Sequence, residues 1–138
     1  MPRNITLAQA EFVLEACKAE AGVVGQPMNI AVVDDGGNLV AFAAMDGTKL
    51  IGESIAQRKA LTAVLFQADT RDLVPLVQPG AALYGIESTS EGRLVVFAGG
   101  VLLRDGNGAV AGGVGVSAGT VDEDHQVAEA GRAAYAGG

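Results

Sequence analysis

The spacing of apolar residues predicts helices at the start, middle and end of the chain. Apolar side chains recur at steps of three and four from Leu7 to Ala21, the pattern of an amphipathic helix over about 6–22. Thr6 and Gln9 form a capping-box pattern at its start, and Gly22 is the expected stop. The first element is therefore predicted to be a helix with one buried face.

Two further helices follow from the same kind of spacing. One is predicted from about Ile51 to Phe66 and the other from about Val121 to Tyr135. A second capping-box pattern, Thr120 with Glu123, marks the start of the last helix. Between these helices the periodicity weakens, and the segment Thr70 to Leu76 is read as one short helix followed by an irregular functional loop or lid.

Five runs rich in β-branched and aromatic residues predict strands, and glycine-rich turns separate most of them. These runs are Met28 to Asp34, Asn38 to Ala44, Arg93 to Ala98, Val101 to Arg104 and Ala109 to Val116. Tight hairpins outnumber possible crossovers in the resulting order, α-β-β-α-β-β-β-α. We therefore expect an α+β fold, a five-stranded antiparallel sheet flanked by helices, in a single domain over residues 1–138.

Small residues are concentrated where close packing is expected. Ala56, Ala60 and Ala63 form a ridge on the second helix that suits packing against a sheet or a neighbouring subunit. Eight of the 20 glycines fall between Gly99 and Gly119. Bare backbone in this stretch is expected to allow the last strands to approach a helix or a ligand closely.

The composition removes several classes of partner. Sixteen acidic and nine basic residues give a net charge of −7, which disfavours nucleic acid and anionic membranes. No apolar stretch reaches the ~20 residues of a membrane span, and no signal-type segment is found, so we expect a cytoplasmic protein. Cys17 is the only cysteine and His125 the only histidine, which predicts no metal site and a buried, inert thiol.

Charged residues in two helices carry the candidate chemistry. Arg58 and Lys59 interrupt an otherwise apolar helix, and Asp46 in the preceding turn is a possible partner. A partly buried ion pair and a site for a ligand carboxylate explain these cations about equally well. His125 lies in the first turn of the last helix, where free N–H groups favour anions, although a solvated helix start is the commoner role.

Five motifs occur in order along the chain: Met45 to Gly47, Ser54 to Ala63, Gly99-Gly100, Gly112 to Ser117 and Asp124 to Ala128. Taken together they resemble the GlcG/HbpS-like family, which includes haem-binding HbpS proteins, GlcG proteins of glycolate-utilisation gene clusters and the C-terminal domain of PduO-type proteins. The resemblance implies a homo-oligomer built on an antiparallel five-stranded sheet. Haem-binding relatives can carry a histidine in the first helix, where this chain has Cys17 instead. The positions that match shared motifs are Asp46, Gly47, Arg58, Lys59, Gly99, Gly100, Gly113, Gly115, Ser117 and Asp124.

A small-molecule-binding protein is the leading functional hypothesis. The expected pocket combines the cations of the second helix, the Gly99–Gly100 turn and the backbone from Gly115 through Ser117 to Thr120, all suited to a carboxylate or propionate group. Haem is the first candidate ligand, with His125 or Cys17 as axial donor. A carboxylate-bearing metabolite is the other candidate.

Two alternatives remain open at the level of the sequence. In the first, the protein is an enzyme that acts on a small hydroxy- or oxo-acid in a catabolic pathway. Arg58 and Lys59 would then bind the carboxylate, and His125 or Asp124 would move a proton. In the second, the chain is a structural subunit whose alanine ridge forms an oligomer interface.

Overall fold

The computed structural model describes residues 4–137, which contain four α-helices and four β-strands. The helices are α1 (Leu7–Val24), α2 (Ile51–Phe66), α3 (Thr70–Leu73) and α4 (Val121–Gly137). The strands are β1 (Asn29–Asp34), β2 (Leu39–Ala44), β3 (Gly100–Arg104) and β4 (Val110–Ser117). Two 3₁₀ turns, Val74–Leu76 and Ile86–Ser90, lie between α3 and β3.

The strands form one antiparallel sheet in the order β2-β1-β4-β3. Two hairpins, β1–β2 and β3–β4, are joined through the central pair β1–β4, in which Ile30 lies opposite Val116 and Val32 opposite Val114. Every residue of β1 is buried, because helices cover both faces of the sheet at its centre. The antiparallel α+β architecture is as predicted.

The prediction of five strands is wrong, since the structure has four. The run from Arg93 to Ala98 forms no regular secondary structure and pairs with no strand. Its Val95 N–H donates to the hydroxyl of Thr62 on α2, at 3.0 Å, instead of to a neighbouring strand. Leu94 and Val96 pack beside α3, within a small apolar cluster. The apolar pattern of the run therefore reflects packing against helices and not membership of the sheet.

The edge of β3 is closed by side chains that begin α3. Thr70 accepts a hydrogen bond from the N–H of Gly100 at 2.9 Å, and Asp69 accepts one from the N–H of Leu102 at 3.1 Å. These are the backbone groups that a fifth strand would need. Because they are already satisfied, the sheet ends at β3.

Helix α2 approaches the sheet unusually closely. Its alanine ridge packs on β4, where a Cβ at Gly115 would overlap the carbonyl of Ala56 and one at Gly113 would lie 2.8 Å from the carbonyl oxygen of Ala60. The ridge is therefore buried inside the chain, and of its two predicted uses the structure supports packing on a sheet. Helices α1 and α4 pack together on the opposite face and enclose the larger apolar core.

The helix ends follow the capping patterns with one correction. Thr6 and Gln9 form the predicted capping box, as do Thr120 and Glu123 at the start of α4. Helix α1 runs past Gly22 and ends at Gly25, whose φ of 82° provides the left-handed cap. None of the helices in residues 4–137 is long and apolar enough to cross a membrane.

Candidate functional site

Lys59 is fully enclosed between α2, β4 and the start of α4. Its ammonium nitrogen lies 2.8 Å from the carbonyl oxygen of Val116, 2.8 Å from Oδ2 of Asp124 and 5.0 Å from the centre of the Phe97 ring. The side chain is 0% exposed. The ammonium is therefore held by two hydrogen bonds and one cation–π contact, all from within the chain.

Asp124 is held in place by the start of α4. Its second oxygen, Oδ1, accepts a hydrogen bond from the N–H of Gly119 at 2.9 Å. Burial raises the pKa of Asp124, and the charge of Lys59 opposes the rise. Burial likewise lowers the pKa of Lys59, against the attraction of Asp124. The 2.8 Å contact and the burial of both side chains are those of a buried ion pair that joins α2 to α4.

Several of the predicted site residues gather around this ion pair. Gly99 lies against the ammonium, where a Cβ would come within 2.5 Å of Nζ, and its φ of 128° also favours glycine. Gly100 packs on the backbone carbonyl of Lys59. The hydroxyl of Ser117 donates to the carbonyl oxygen of Gly52 on α2. Together they form the joint between α2, the β3–β4 hairpin and α4.

Other predicted site residues lie outside this joint. Gly115 is covered by α2, and Thr120 is an exposed helix cap. Asp46 is exposed and is not the partner of Lys59, which pairs with Asp124. Arg58 is exposed on the outer side of α2, where its Nη1 donates to the carbonyl oxygen of Gly92 at 2.8 Å. The two consecutive cations of α2 therefore face different surroundings.

A wide groove lies beside Arg58 on the described surface. It has a volume of about 760 Å³ and runs between α2, the β1–β2 turn and Arg93. Its walls combine charged and polar groups with exposed apolar ones. The lining residues are Val33, Gly37, Asn38, Leu39, Leu50, Glu53, Ser54, Gln57, Arg58, Leu61 and Arg93.

Arg93 has no role in the predicted site, because its sequence context suggests only the start of a strand. In the structure its Nε donates to the carbonyl oxygen of Ser90 at 3.3 Å, and its side chain lines the groove together with Arg58. Within residues 4–137 neither arginine forms an ion pair with a carboxylate. The two are separated by 35 positions in the chain, so no local pattern could have joined them.

The two candidate axial donors are buried and lie away from the groove. Cys17 is fully buried beside Gly131, and burial raises its pKa to about 12. His125 is 6% exposed, and its Nδ1 has no hydrogen-bond partner among the described residues. Burial and the charge of Arg71 lower the pKa of His125, while Glu129, 3.6 Å from Nε2, opposes that shift.

Arg132 and Asp69 form a second ion pair that the sequence does not reveal. The guanidinium binds both carboxylate oxygens, at 2.7 Å and 2.8 Å, and also contacts Glu129. Burial opposes ionisation of Asp69, but the hydrogen bonds and charge of Arg132 outweigh it and lower its pKa. The spacing of Glu129 and Arg132 is visible in the sequence, whereas Asp69 lies 63 positions away. Within residues 4–137 no cluster of three or more metal-binding side chains is found.

The chain folds as an antiparallel sheet with helices on both faces, and comparison with known proteins identifies the family that shares this fold. The chain belongs to the HbpS-like family: the model of the family described as haem degrading protein HbpS-like matches residues 5–133. It is 42% identical over 128 residues to an uncharacterized 15.0 kDa protein from the dhaT-dhaS intergenic region of Citrobacter freundii, covering 91% of this chain and 88% of that one.

Two further relatives carry the names that the sequence motifs suggested. Protein GlcG of Escherichia coli is 34% identical over 120 residues, which cover 85% of each chain. The corrinoid adenosyltransferase PduO of Citrobacter freundii is 41% identical over 103 residues. That match spans 75% of this chain but 30% of PduO, so the similarity concerns less than a third of the larger protein.

Solved structures share the fold over nearly the whole chain. The crystal structure of PduOC in complex with haem superposes with a TM-score of 0.90 and 34% identity, covering 94% of both chains. An HbpS double mutant of Streptomyces reticuli gives a TM-score of 0.83 and 29% identity, covering 96% of this chain and 88% of that one. The resemblance to the GlcG/HbpS-like family is therefore confirmed.

Proposed function

We propose that this protein binds haem. The observation that carries the proposal is the likeness to the PduOC–haem complex, which extends over 94% of both chains. The family description, haem degrading protein HbpS-like, points to the same ligand. A flat apolar ring with two carboxylates needs apolar walls and cationic groups, and the groove beside Arg58 offers both.

The residues of the chain fit the carboxylates and the apolar body of haem better than its iron. Cys17 is buried and protonated, which makes it a poor thiolate donor. His125 is almost fully buried and does not line the groove. Binding is therefore expected to depend on the propionates and the ring, with no axial bond from either residue. Bound haem would supply an iron centre, and the chain would hold that iron through the porphyrin alone.

A carboxylate-bearing metabolite would use the same chemistry in part, since a carboxylate needs the arginines but not the apolar walls.

The enzyme alternative gains no support from the geometry. It required Arg58 and Lys59 to hold one carboxylate, but Lys59 is enclosed with Asp124 while Arg58 faces the groove. Asp124, one of the two candidate proton carriers beside His125, is likewise bound to Lys59 and to Gly119.

Titration of the pure protein with haemin tests the proposal. We expect a saturable change in the Soret band at one haemin per chain. The variants His125→Gln and Cys17→Ser should retain this change, because neither residue lies in the groove. A Soret band that never saturates would refute haem binding, and loss of the change in His125→Gln with an unchanged fold would refute binding without axial ligation.

Self-association is part of the proposed function. Leu7, Phe12 and Val23 are exposed on α1, and the outer edge of β2 has no partner strand within the described chain. Both features suit contacts between copies of the chain, and sedimentation velocity would measure the assembly directly. A cytoplasmic location stays a prediction, to be checked by cell fractionation.

A further inference from the structure

Two arginines converge on the groove from distant parts of the chain. Arg58 comes from α2, and Arg93 from the segment where a fifth strand was predicted. The hydrogen bond from Arg58 to the carbonyl oxygen of Gly92 fixes the first guanidinium next to the residue that precedes the second. Since neither guanidinium forms an ion pair within residues 4–137, both keep free donors for an anion.

This pairing is notable in a chain with a net charge of −7. Elsewhere the strongly held cations, Lys59 and Arg132, are bound to carboxylates of the chain itself. The groove has a single acidic lining residue, Glu53, against two arginines. Its charge is therefore complementary to a ligand that carries two carboxylates.

Apolar side chains also line the groove, among polar ones such as Asn38, Ser54 and Gln57. Leu50, at the start of α2, is 91% exposed, and Leu39 at the start of β2 is 46% exposed. Leu61 and Val33 complete the apolar lining. A volume of about 760 Å³ lies within the range of about 300–1,000 Å³ that small-molecule sites occupy. Exposed leucines beside two free arginines suit a ligand with an apolar body and an anionic edge.

We propose that this groove is the haem site, with Arg58 and Arg93 binding the two propionates and with Leu39, Leu50 and Leu61 contacting the ring. The proposal rests on the proposed function, because it names the site of the same ligand. It also explains why neither His125 nor Cys17 needs to contact the iron, because the groove would recognise the carboxylates and the ring. Iron-free protoporphyrin IX should consequently bind about as well as haemin.

The test compares variants of the full chain with three probes: haemin, protoporphyrin IX and the dimethyl ester of protoporphyrin IX. Arg58→Gln and Arg93→Gln are each expected to weaken binding of haemin and protoporphyrin IX by roughly fivefold to tenfold. The double variant should weaken it further and bind the free acid no better than the ester. The wild-type protein should bind the ester more weakly than the free acid.

Matched controls separate loss of the site from loss of the fold. Arg104→Gln removes another exposed arginine whose Nη1 donates to a backbone carbonyl, that of Gly108 at 3.0 Å, but it lies outside the groove. Leu50→Ser should weaken porphyrin binding, whereas Leu65→Ser, an exposed leucine on α2 away from the groove, should not. Unchanged far-UV circular dichroism and melting temperature would show that each variant is folded.

The outcomes distinguish this proposal from the broader one. If haemin binds the wild type but the two arginine variants and Leu50→Ser bind it equally well, the groove is not the site, while haem binding survives. If protoporphyrin IX fails to bind where haemin binds, recognition is through iron and the groove proposal is refuted. If haemin itself shows no saturable binding, both proposals are refuted.

Discussion

Arg58 and Lys59 are neighbours on α2, yet the two sides of this helix hold them in opposite ways. Lys59 is enclosed, donates to Val116 and Asp124, and lies over the Phe97 ring. Arg58 is exposed, uses one donor on the carbonyl of Gly92, and faces a wide groove. Consecutive helical residues are about 100° apart around the axis, so one lies against the sheet and the other beside it.

This difference separates structural charge from charge available to a ligand. A buried ammonium needs partners within the chain, because removing an unpaired charge from water costs far more free energy than leaving it exposed. An exposed guanidinium has no such requirement and can exchange water for a carboxylate. The comparison therefore predicts large effects on stability at Lys59 and effects on binding at Arg58.

The largest expected effect comes from breaking the buried ion pair. Lys59→Met removes the charge that balances Asp124 and leaves a buried carboxylate with one partner fewer. We expect the free energy of unfolding to fall by about 3–5 kcal/mol. Urea denaturation followed by circular dichroism would measure the loss.

The double variant Lys59→Met with Asp124→Leu is the matched control, since it removes both charges from the same place. It should recover much of the lost stability, because an apolar pair needs no compensation. A double variant as unstable as the single one would show that the joint depends on packing around Lys59 and not on charge balance.

The next effect concerns the close contact between α2 and the sheet. Gly115→Ala places a methyl group against the carbonyl of Ala56, so the helix must shift, and we expect a loss of about 1–3 kcal/mol. Gly22→Ala offers the contrast, since nothing lies within 4 Å of a Cβ there and the residue is inside α1. That change should stabilise by roughly 0.5–1 kcal/mol. Equal effects in thermal unfolding would contradict the close-contact interpretation.

The fold could be predicted wherever the local pattern and the tertiary contacts agree. The bounds of α2 and both capping boxes follow from spacing alone, and the ridge at Ala56, Ala60 and Ala63 correctly indicated close packing. The extra strand at Arg93 to Ala98 shows where this fails. Leu94, Val95 and Val96 of this run are buried, but against α2 and α3, and the sequence does not say which neighbour buries an apolar run.

The candidate site was only partly predictable for a similar reason. A cation pair in an apolar helix drew attention to Arg58 and Lys59, with an ion pair and a ligand contact as the two explanations, and the structure shows an ion pair for Lys59. The partner of Lys59 lies 65 positions away, and Arg93 lies 35 positions from Arg58. Such contacts depend on how the β3–β4 hairpin and the preceding segment cross α2, which no local pattern records.

A smaller effect is expected from pH at His125, on the opposite side of the sheet from the groove. Its pKa is lowered from the ordinary value of 6.5, mainly by burial, with Arg71 and Arg132 adding to the shift and Glu129 and Asp69 opposing it. Below about pH 6.5 the unfolded chain therefore binds a proton that the folded chain resists, and stability falls as pH decreases.

The free energy of unfolding, measured from about pH 7.5 to about pH 5.5, tests this direction. Because one proton is involved, its slope cannot exceed about 1.4 kcal/mol per pH unit. His125→Gln should be flatter over this range, because the chain has no other histidine. The pKa of Asp69 is lowered, so this carboxylate becomes protonated, and its stabilising contribution is lost, only at a pH below this range. Parallel slopes in the two proteins would contradict the role given to burial of His125.

The smallest effect on the free protein is expected at Arg58, and it completes the comparison with Lys59. Arg58→Gln removes one exposed hydrogen bond to Gly92, so the unfolding free energy should change by no more than about 1 kcal/mol. With haemin at about 100 times the wild-type Kd, binding should stabilise the wild type by about 2.7 kcal/mol. A tenfold weaker variant would gain only about half of this, about 1.4 kcal/mol. Thermal unfolding with and without haemin measures both quantities, and an Arg58 variant as destabilised as Lys59→Met would show that the two cations are equally structural.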